Sequence, residues 1–239
     1  MTDKLYLKDM YLKEFDAIVT RIDGNKVYLD KTAFYPTGGG QPNDTGRLIS
    51  GSGEFVVSDA KKDGEDVMHT VENPSALKIG DNVHGVIDWD KRYAYMRHHT
   101  AIHILDGIVI KSYSNGGIIT GSQIYADRAR MDFDMPDLNK DLAQKIIDDT
   151  NDDILRGRRV IVKDLTQAQA LAMPSLVRTQ PGVELIKRLS TVRVVEIEGL
   201  DMQMDGGLHV LNSKEVGKIV MNSYKNQGAH SKRLEIRLE

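Results

Sequence analysis

Apolar and polar residues alternate through residues 5–88, which reads as β structure. In FDAIVTRIDGNKVYLD (15–30), Ala17, Val19 and Ile22 precede a Gly24–Asn25 pair, and Val27 and Leu29 follow it. A period of two puts these side chains on one face of a strand, and the Gly-Asn pair supplies the turn of a hairpin. GRLIS and FVVSDAKKD flank GSGE in the same way, and VMHTVE and NVHGVIDWD add further short strands. Many short strands separated by Gly, Asp and Asn turns predict a small barrel-like domain over residues 1–89.

The period changes at Trp89. In DKRYAYMRHHTAIHILDGIVIKSY (90–113), Ala94, Ala101, Ile104, Leu105, Ile108 and Val109 recur at helical spacing. Asp90 is the expected N-cap, and SNGG (114–117) the expected stop. Alternation returns over 118–134 (Ile118, Met131, Phe133), a second helix is expected from Pro136–Asp137 to about Leu155, and TQAQALA (166–172) reads as a third, short helix. RVVEIE, HVLNS, VGKIVMNSYK and RLEIRL read as late strands. The predicted class is therefore α+β: a β-barrel-like domain over 1–89, then a domain over 90–239 with helices packed on a largely antiparallel sheet.

Composition narrows the picture in three ways. The 239 residues are 40% hydrophobic and 28% charged, as in a soluble globular protein, and no apolar run approaches a membrane span. The N-terminal MTDKLYLKDMYLKEF carries acids and no apolar core, unlike a signal peptide. There are no cysteines, so disulfides and thiolate metal sites are excluded, and a cytoplasmic address is expected. The net charge of −3 offers no global attraction to nucleic acid, so any such partner needs a local basic patch.

Two short stretches carry candidate chemistry. In HHTAIH, His99 and His103 stand four apart on the predicted helix, so they share a face and suit one metal ion, whereas His98 is rotated about 100° away. In QMDGGLHVL, Asp205 and His209 repeat the same gap across Gly206 and Gly207, which allow a tight turn. Either pair alone also reads as hydrogen-bonded side chains at a helix–sheet seam. Together they make a His3Asp set, acceptable to zinc. FYPTGGGQPNDTG (34–46) lacks the GK[ST] of a phosphate-binding P-loop. It reads as a barrel hairpin loop or as a loop whose backbone approaches a ligand.

Three stretches in order, KTAFYPTGGGQPNDTG (31–46), RHHTAIH (97–103) and DMQMDGGLHV (201–210), resemble the motifs of the alanyl-tRNA synthetase editing domain. They resemble most its free-standing relatives, the AlaX trans-editing proteins, and the closing GKIVMNSYKNQGAHSKRLEIRL agrees. The glycine-rich N-terminal domain is similar to that of the medium-length class. The resemblance implies hydrolysis of the ester in tRNA(Ala) mischarged with serine, and sometimes glycine. It implies one zinc ion bound by HxxxH and CxxxH. His99, His103 and His209 match three of the ligands, Asp205 stands where the family has cysteine, and Leu208 where it usually has threonine. Thr32, Gly38, Gly39, Gly40 and Gln41 match residues implicated in holding the amino acid and the ribose end.

Mischarged tRNA(Ala) is thus the expected partner. Lys91, Arg92 and Arg97 on the long helix, with Lys225, Lys232, Arg233 and Arg237 near the C-terminus, are the candidate phosphate contacts. The ligand set His99, His103, Asp205 and His209 is also the candidate catalytic set. Two other readings compete with a deacylase. One is an inactive tRNA-binding module whose site degenerated through Asp205 and Leu208. The other is a small-ester metallohydrolase, although HxxxH lacks the Glu of HExxH. Aspartate keeps a negative charge and can ligate zinc, which favours activity.

Overall fold

The alternating N-terminal segment closes on itself. The computed structural model describes residues 1–113, 118–176, 184–228 and 230–239. Its chain divides into two compact units, Met1–Tyr95 and Met96–Glu239.

The first unit contains β1 (Asp3–Lys4), α1 (Leu5–Lys8), β2 (Glu14–Asp23), β3 (Lys26–Leu29), β4 (Lys31–Thr32), β5 (Gly46–Ser50), β6 (Gly53–Asp63), β7 (Asp66–Val71) and β8 (Asn82–Ile87). Six strands form a closed barrel in the order β2-β3-β7-β6-β5-β8, which leaves no strand edge exposed. The inward residues follow the period of two: Phe15, Ala17 and Val19 on β2, Val83 and Ile87 on β8, with Val27, Leu29, Leu48, Val57 and Val67 completing the core. Phe15 sits opposite Gly85 across β2 and β8. A Cβ at Gly85 would lie 2.4 Å from the Phe15 ring, so that position makes room for the aromatic. The segment is not wholly β, since α1 and one 3-10 turn at Pro74–Ala76 interrupt it.

The long helix α2 runs Trp89–Ser112. Asp90 lies in its first turn rather than capping it. The cap is Asp88, whose carboxylate accepts the Lys91 N–H at 3.3 Å. The expected stop at 114–117 lies outside the described residues. From Met96 onward α2 is buried around its circumference: Met96, Ala101, Ile102, Ile104, Leu105, Ile108 and Val109 on its apolar sides, and His99, Thr100, His103 and Asp106 on the other. A helix of that kind is a core helix, and polar side chains placed on it are taken out of water.

The second unit continues with β9 (Ile118–Ile124), β10 (Ala129–Asp134), α3 (Lys140–Ile154), β11 (Val160–Thr166), α4 (Gln167–Leu171), β12 (Thr191–Ile197), β13 (Asp201–Met204), β14 (Ile219–Asn226) and β15 (Lys232–Leu238). Among the described residues its pairings are all antiparallel, but they form two sheets, β14-β15-β10-β9 and β11-β12-β13, not one. Helix α3 starts later than Pro136–Asp137, because the Asn139 side chain accepts the Leu142 N–H and sets the cap there. It buries Ala143, Ile146, Ile147, Thr150 and Ile154 and packs on β14. Thr166 and Gln169 form a capping box at the start of α4. HVLNS (209–213) is not a strand. The Val210 N–H is taken by the Thr100 hydroxyl, the Leu211 and Asn212 N–H groups by the Glu215 carboxylate, and a 3-10 turn follows at Ser213–Val216.

Candidate metal centre

Four side chains from two distant stretches meet in the second unit. His99 and His103 project from α2 with ring centroids 5.2 Å apart. His209 stacks on His99 at 4.2 Å and meets His103 edge-on at 4.8 Å. Asp205 follows β13, and its Oδ2 lies 2.6 Å from His209 Nε2 and 3.7 Å from His99 Nε2. One ligand atom from each of His99, His103, Asp205 and His209 falls within 4.8 Å of all the others. His98 lies buried elsewhere on the helix and is not part of the group.

The backbone around Asp205 is pinned on both sides. Its N–H donates to the Arg193 carbonyl at 3.2 Å, and Arg193 Nη1 donates to the Asp205 carbonyl at 2.8 Å. The Gly206–Gly207 pair plays a different part from the one expected. Neither residue has a positive φ, and a Cβ at Gly206 would meet nothing within 4 Å. The turn is therefore fixed by Arg193, not by left-handed glycines.

Burial sets the charge of the group. It holds the His99 imidazole well below its ordinary pKa and His209 down to about 4, so both rings are neutral at pH 7. Burial pushes the Asp205 carboxyl up, but the His99 imidazole facing it and the hydrogen bond from His209 outweigh that and keep it well below the usual range. An ionised carboxylate facing neutral imidazoles is the protonation state a cation requires.

The donor set fits a divalent ion. With bonds of about 2.0–2.1 Å, the edge of a tetrahedral site is roughly 3.3–3.4 Å. The His99–Asp205 contact of 3.7 Å is close to that edge, and the 2.6 Å His209–Asp205 contact would open by about 0.7–0.8 Å on binding an ion. Behind His209, Nδ1 lies 3.1 Å from the Thr100 hydroxyl, which can accept the ring proton when Nε2 turns to a metal.

The other candidate residues are placed as follows. Thr32 is fully buried in the first unit; its hydroxyl lies 2.9 Å from His69 Nε2 and accepts the Phe34 N–H at 3.1 Å. Gly38 and Gln41 exchange two backbone hydrogen bonds around Gly39 and Gly40, both with left-handed φ, so this stretch is a tight hairpin turn. Arg92, a candidate phosphate contact, does not reach the surface. It is fully buried, with Nε and Nη2 on the Asp44 carboxylate, Nη1 on the Leu12 carbonyl and Nη2 on the Ala33 carbonyl. Lys232 is also buried, its Nζ on Asn226 Oδ1 at 2.7 Å. Arg97 donates to the Val216 carbonyl, Lys91 reaches Thr45 Oγ1 at 3.3 Å, and Arg233 pairs with Asp132 at 2.7 Å.

Sequence reasoning overlooked Asp201, Gln203, Arg193 and Thr100 around the four candidate ligands. One signal was available: in DMQMD (201–205) polar residues alternate with methionines. The structure uses that period, with Met202 and Met204 packed on the core cluster of Ala170, Leu176, Ile186, Val192 and Val194. Asp201 and Gln203 lead on the opposite face to Asp205.

Residues 5–91 match the family model of class II (A) tRNA synthetases, and residues 192–235 match the threonyl and alanyl tRNA synthetase second additional domain. The chain is 41% identical over 240 residues to the alanyl-tRNA editing protein AlaX-M of Saccharolobus solfataricus, covering 98% of each protein. It is 35% identical to AlaX-M of Methanosarcina mazei, over 98% of this chain and 95% of that one. It is also 37% identical over 219 residues to the alanine–tRNA ligase of Pyrococcus abyssi, where the match covers 91% of this chain and 24% of the ligase. The chain belongs to the AlaX-M family of alanyl-tRNA editing proteins. Among the described residues no helix is long and apolar enough to cross a membrane.

Proposed function

We propose that this protein is a free-standing aminoacyl-tRNA deacylase that hydrolyses the ester of seryl-tRNA(Ala), and of glycyl-tRNA(Ala), at a site holding one zinc ion. The observation that carries the reading is the convergence of His99, His103, Asp205 and His209 in a chain that aligns end to end with AlaX-M proteins. A bound divalent ion supplies Lewis acidity there, polarising an ester carbonyl or acidifying a water to a pKa of about 7.

The protein's own side chains do the rest. His99, His103 and His209 present neutral nitrogen donors, and Asp205 offsets one unit of cationic charge. Arg193 keeps Asp205 in register by holding its peptide group. The Gly38–Gln41 turn is the candidate contact for the ribose end. Thr32 is the candidate contact for the seryl hydroxyl. Its own proton is directed at His69 and one lone pair at Phe34 N–H, which leaves the second lone pair to accept from a substrate hydroxyl. Such a site favours serine over alanine, because alanine leaves its polar group unpaired. Lys91, Arg97, Lys225, Arg233 and Arg237 remain the candidate phosphate contacts.

A degenerate tRNA-binding module would have no reason to keep four convergent ligands with a buried, ionised carboxylate among them. The test is deacylation of Ser-tRNA(Ala) by the protein before and after chelation. Activity that falls on chelation and returns with zinc is expected; binding of tRNA without hydrolysis under any metal loading contradicts the reading.

A further inference from the structure

We propose that Asp201 is the positioning residue for His103, and that Gly107 exists to let it reach that ring. This rests on the metal reading above and deepens it. His103 is 7% exposed, and its Nδ1 makes no formed hydrogen bond. A buried ring N–H left in that state is unfavourable. Asp201 Oδ2 lies 3.3 Å from that nitrogen, and the Asp201 side chain is 1% exposed. A small turn of the ring closes the bond and aims Nε2 at the ligand group. Ion binding and the His103–Asp201 hydrogen bond therefore form together.

Asp201 is itself held in place. Gln203 Nε2 donates to Asp201 Oδ2 and to Asp106 Oδ2, both at 2.8 Å, so the strand β13 and the helix α2 share one amide. The approach of the two elements depends on Gly107, one helical turn beyond His103. A Cβ there would lie 2.8 Å from Leu200 Cγ and 3.1 Å from Asp201 Cβ. Glycine inside a helix is destabilising relative to alanine. Its presence here is explained by the space Asp201 occupies.

A carboxylate on the far nitrogen fixes the tautomer of a metal-bound histidine and raises its donor strength, and losing one lowers metal affinity about 10–100-fold. The experiment is a competitive zinc titration of the metal-free full-length protein, for the wild type, Asp201→Asn and Gly107→Ala, with thermal unfolding of each metal-free form. The expected result is zinc affinity at least about 10-fold weaker in both variants. The cobalt(II) absorption spectrum should also be altered in Asp201→Asn. If Asp201→Asn does not fold, Gly107→Ala, which retains every ligand and carboxylate, carries the test. Wild-type affinity in a folded variant overturns the inference and leaves the metal site standing. A wild-type protein that binds no zinc overturns both.

Discussion

Asp205 Oδ2 lies 2.6 Å from His209 Nε2, the nitrogen that would face a bound metal. The two residues are four apart in sequence, and the pair is closed on itself by a strong, charge-assisted hydrogen bond. An ion held by both residues would replace that bond and leave the His209 ring proton on Nδ1, where Thr100 Oγ1 lies at 3.1 Å. Thr100→Val removes the acceptor for that proton while keeping the shape. Zinc affinity should fall about 10-fold or more, read by competitive titration. Unchanged affinity would show that Thr100 serves only the Val210 backbone.

Replacing Asp205 by cysteine should leave a functional centre. A thiolate reaches one bond less far than a carboxylate oxygen, but its bond to zinc is longer, about 2.3 Å against 2.0–2.2 Å. The charge is the same. Asp205→Cys should bind zinc and retain Ser-tRNA(Ala) hydrolysis within about 10-fold. Its preference for zinc over magnesium or manganese should rise, because sulfur is the softer donor. Metal competition measured on both proteins checks the direction.

Thr32→Val should act in two separable ways. It leaves His69 Nε2 and the Phe34 N–H without their partner, so stability should fall by about 1–3 kcal/mol. Under conditions where the variant is folded, Ser-tRNA(Ala) hydrolysis should fall about 10–100-fold while tRNA affinity holds. An unchanged serine rate in the folded variant removes Thr32 from the amino-acid pocket.

His69 predicts an acid limb in stability. Burial lowers its pKa from 6.5 to about 4, and its Nδ1 is bonded to the Val27 carbonyl at 3.0 Å. The folded state therefore resists a proton that the unfolded state accepts. Stability from this group is complete above pH 6.5 and is lost as pH falls from 6.5 towards about 4, by about 3 kcal/mol in all. Denaturant unfolding of the wild type and His69→Gln as a function of pH should show a shallower acid limb in the variant. Parallel curves would contradict the assignment.

Arg92 belongs to the core of the first unit, and its replacement should be read there. Arg92→Ala strands the Asp44 carboxylate in the interior and should cost about 3–5 kcal/mol, measured by denaturant unfolding. A folded Arg92→Ala protein with an altered salt dependence of tRNA binding would instead return Arg92 to the phosphate contacts.

How far the sequence could be read depends on where the physical signal is local. The barrel strands were legible because Phe15, Ala17 and Val19 obey a period of two in a one-sided sheet. The convergence of the His/Asp quartet was legible because the gap between His99 and His103 recurs between Asp205 and His209. What failed was long-range. Asp90 looked like a cap, but Asp88 accepts the Lys91 N–H. HVLNS looked like a strand, but side chains from α2 and from Glu215 consume its backbone donors. Arg92 looked like a surface cation, and only the fold brings Asp44, Leu12 and Ala33 around it. Strands β11 and β13 carry mixed burial, so the split into two sheets left no periodic trace.

The claim on which the account turns is that Asp205 is a metal ligand in an active deacylase. The direct measurement is zinc content and Ser-tRNA(Ala) hydrolysis, taken side by side on the wild type and Asp205→Ala. The wild type should carry about one zinc per chain and hydrolyse the seryl ester. Asp205→Ala should lose both together while staying folded. An Asp205→Ala protein with full zinc occupancy and undiminished hydrolysis would reduce Asp205 to a turn residue bonded to His209, and would contradict the account.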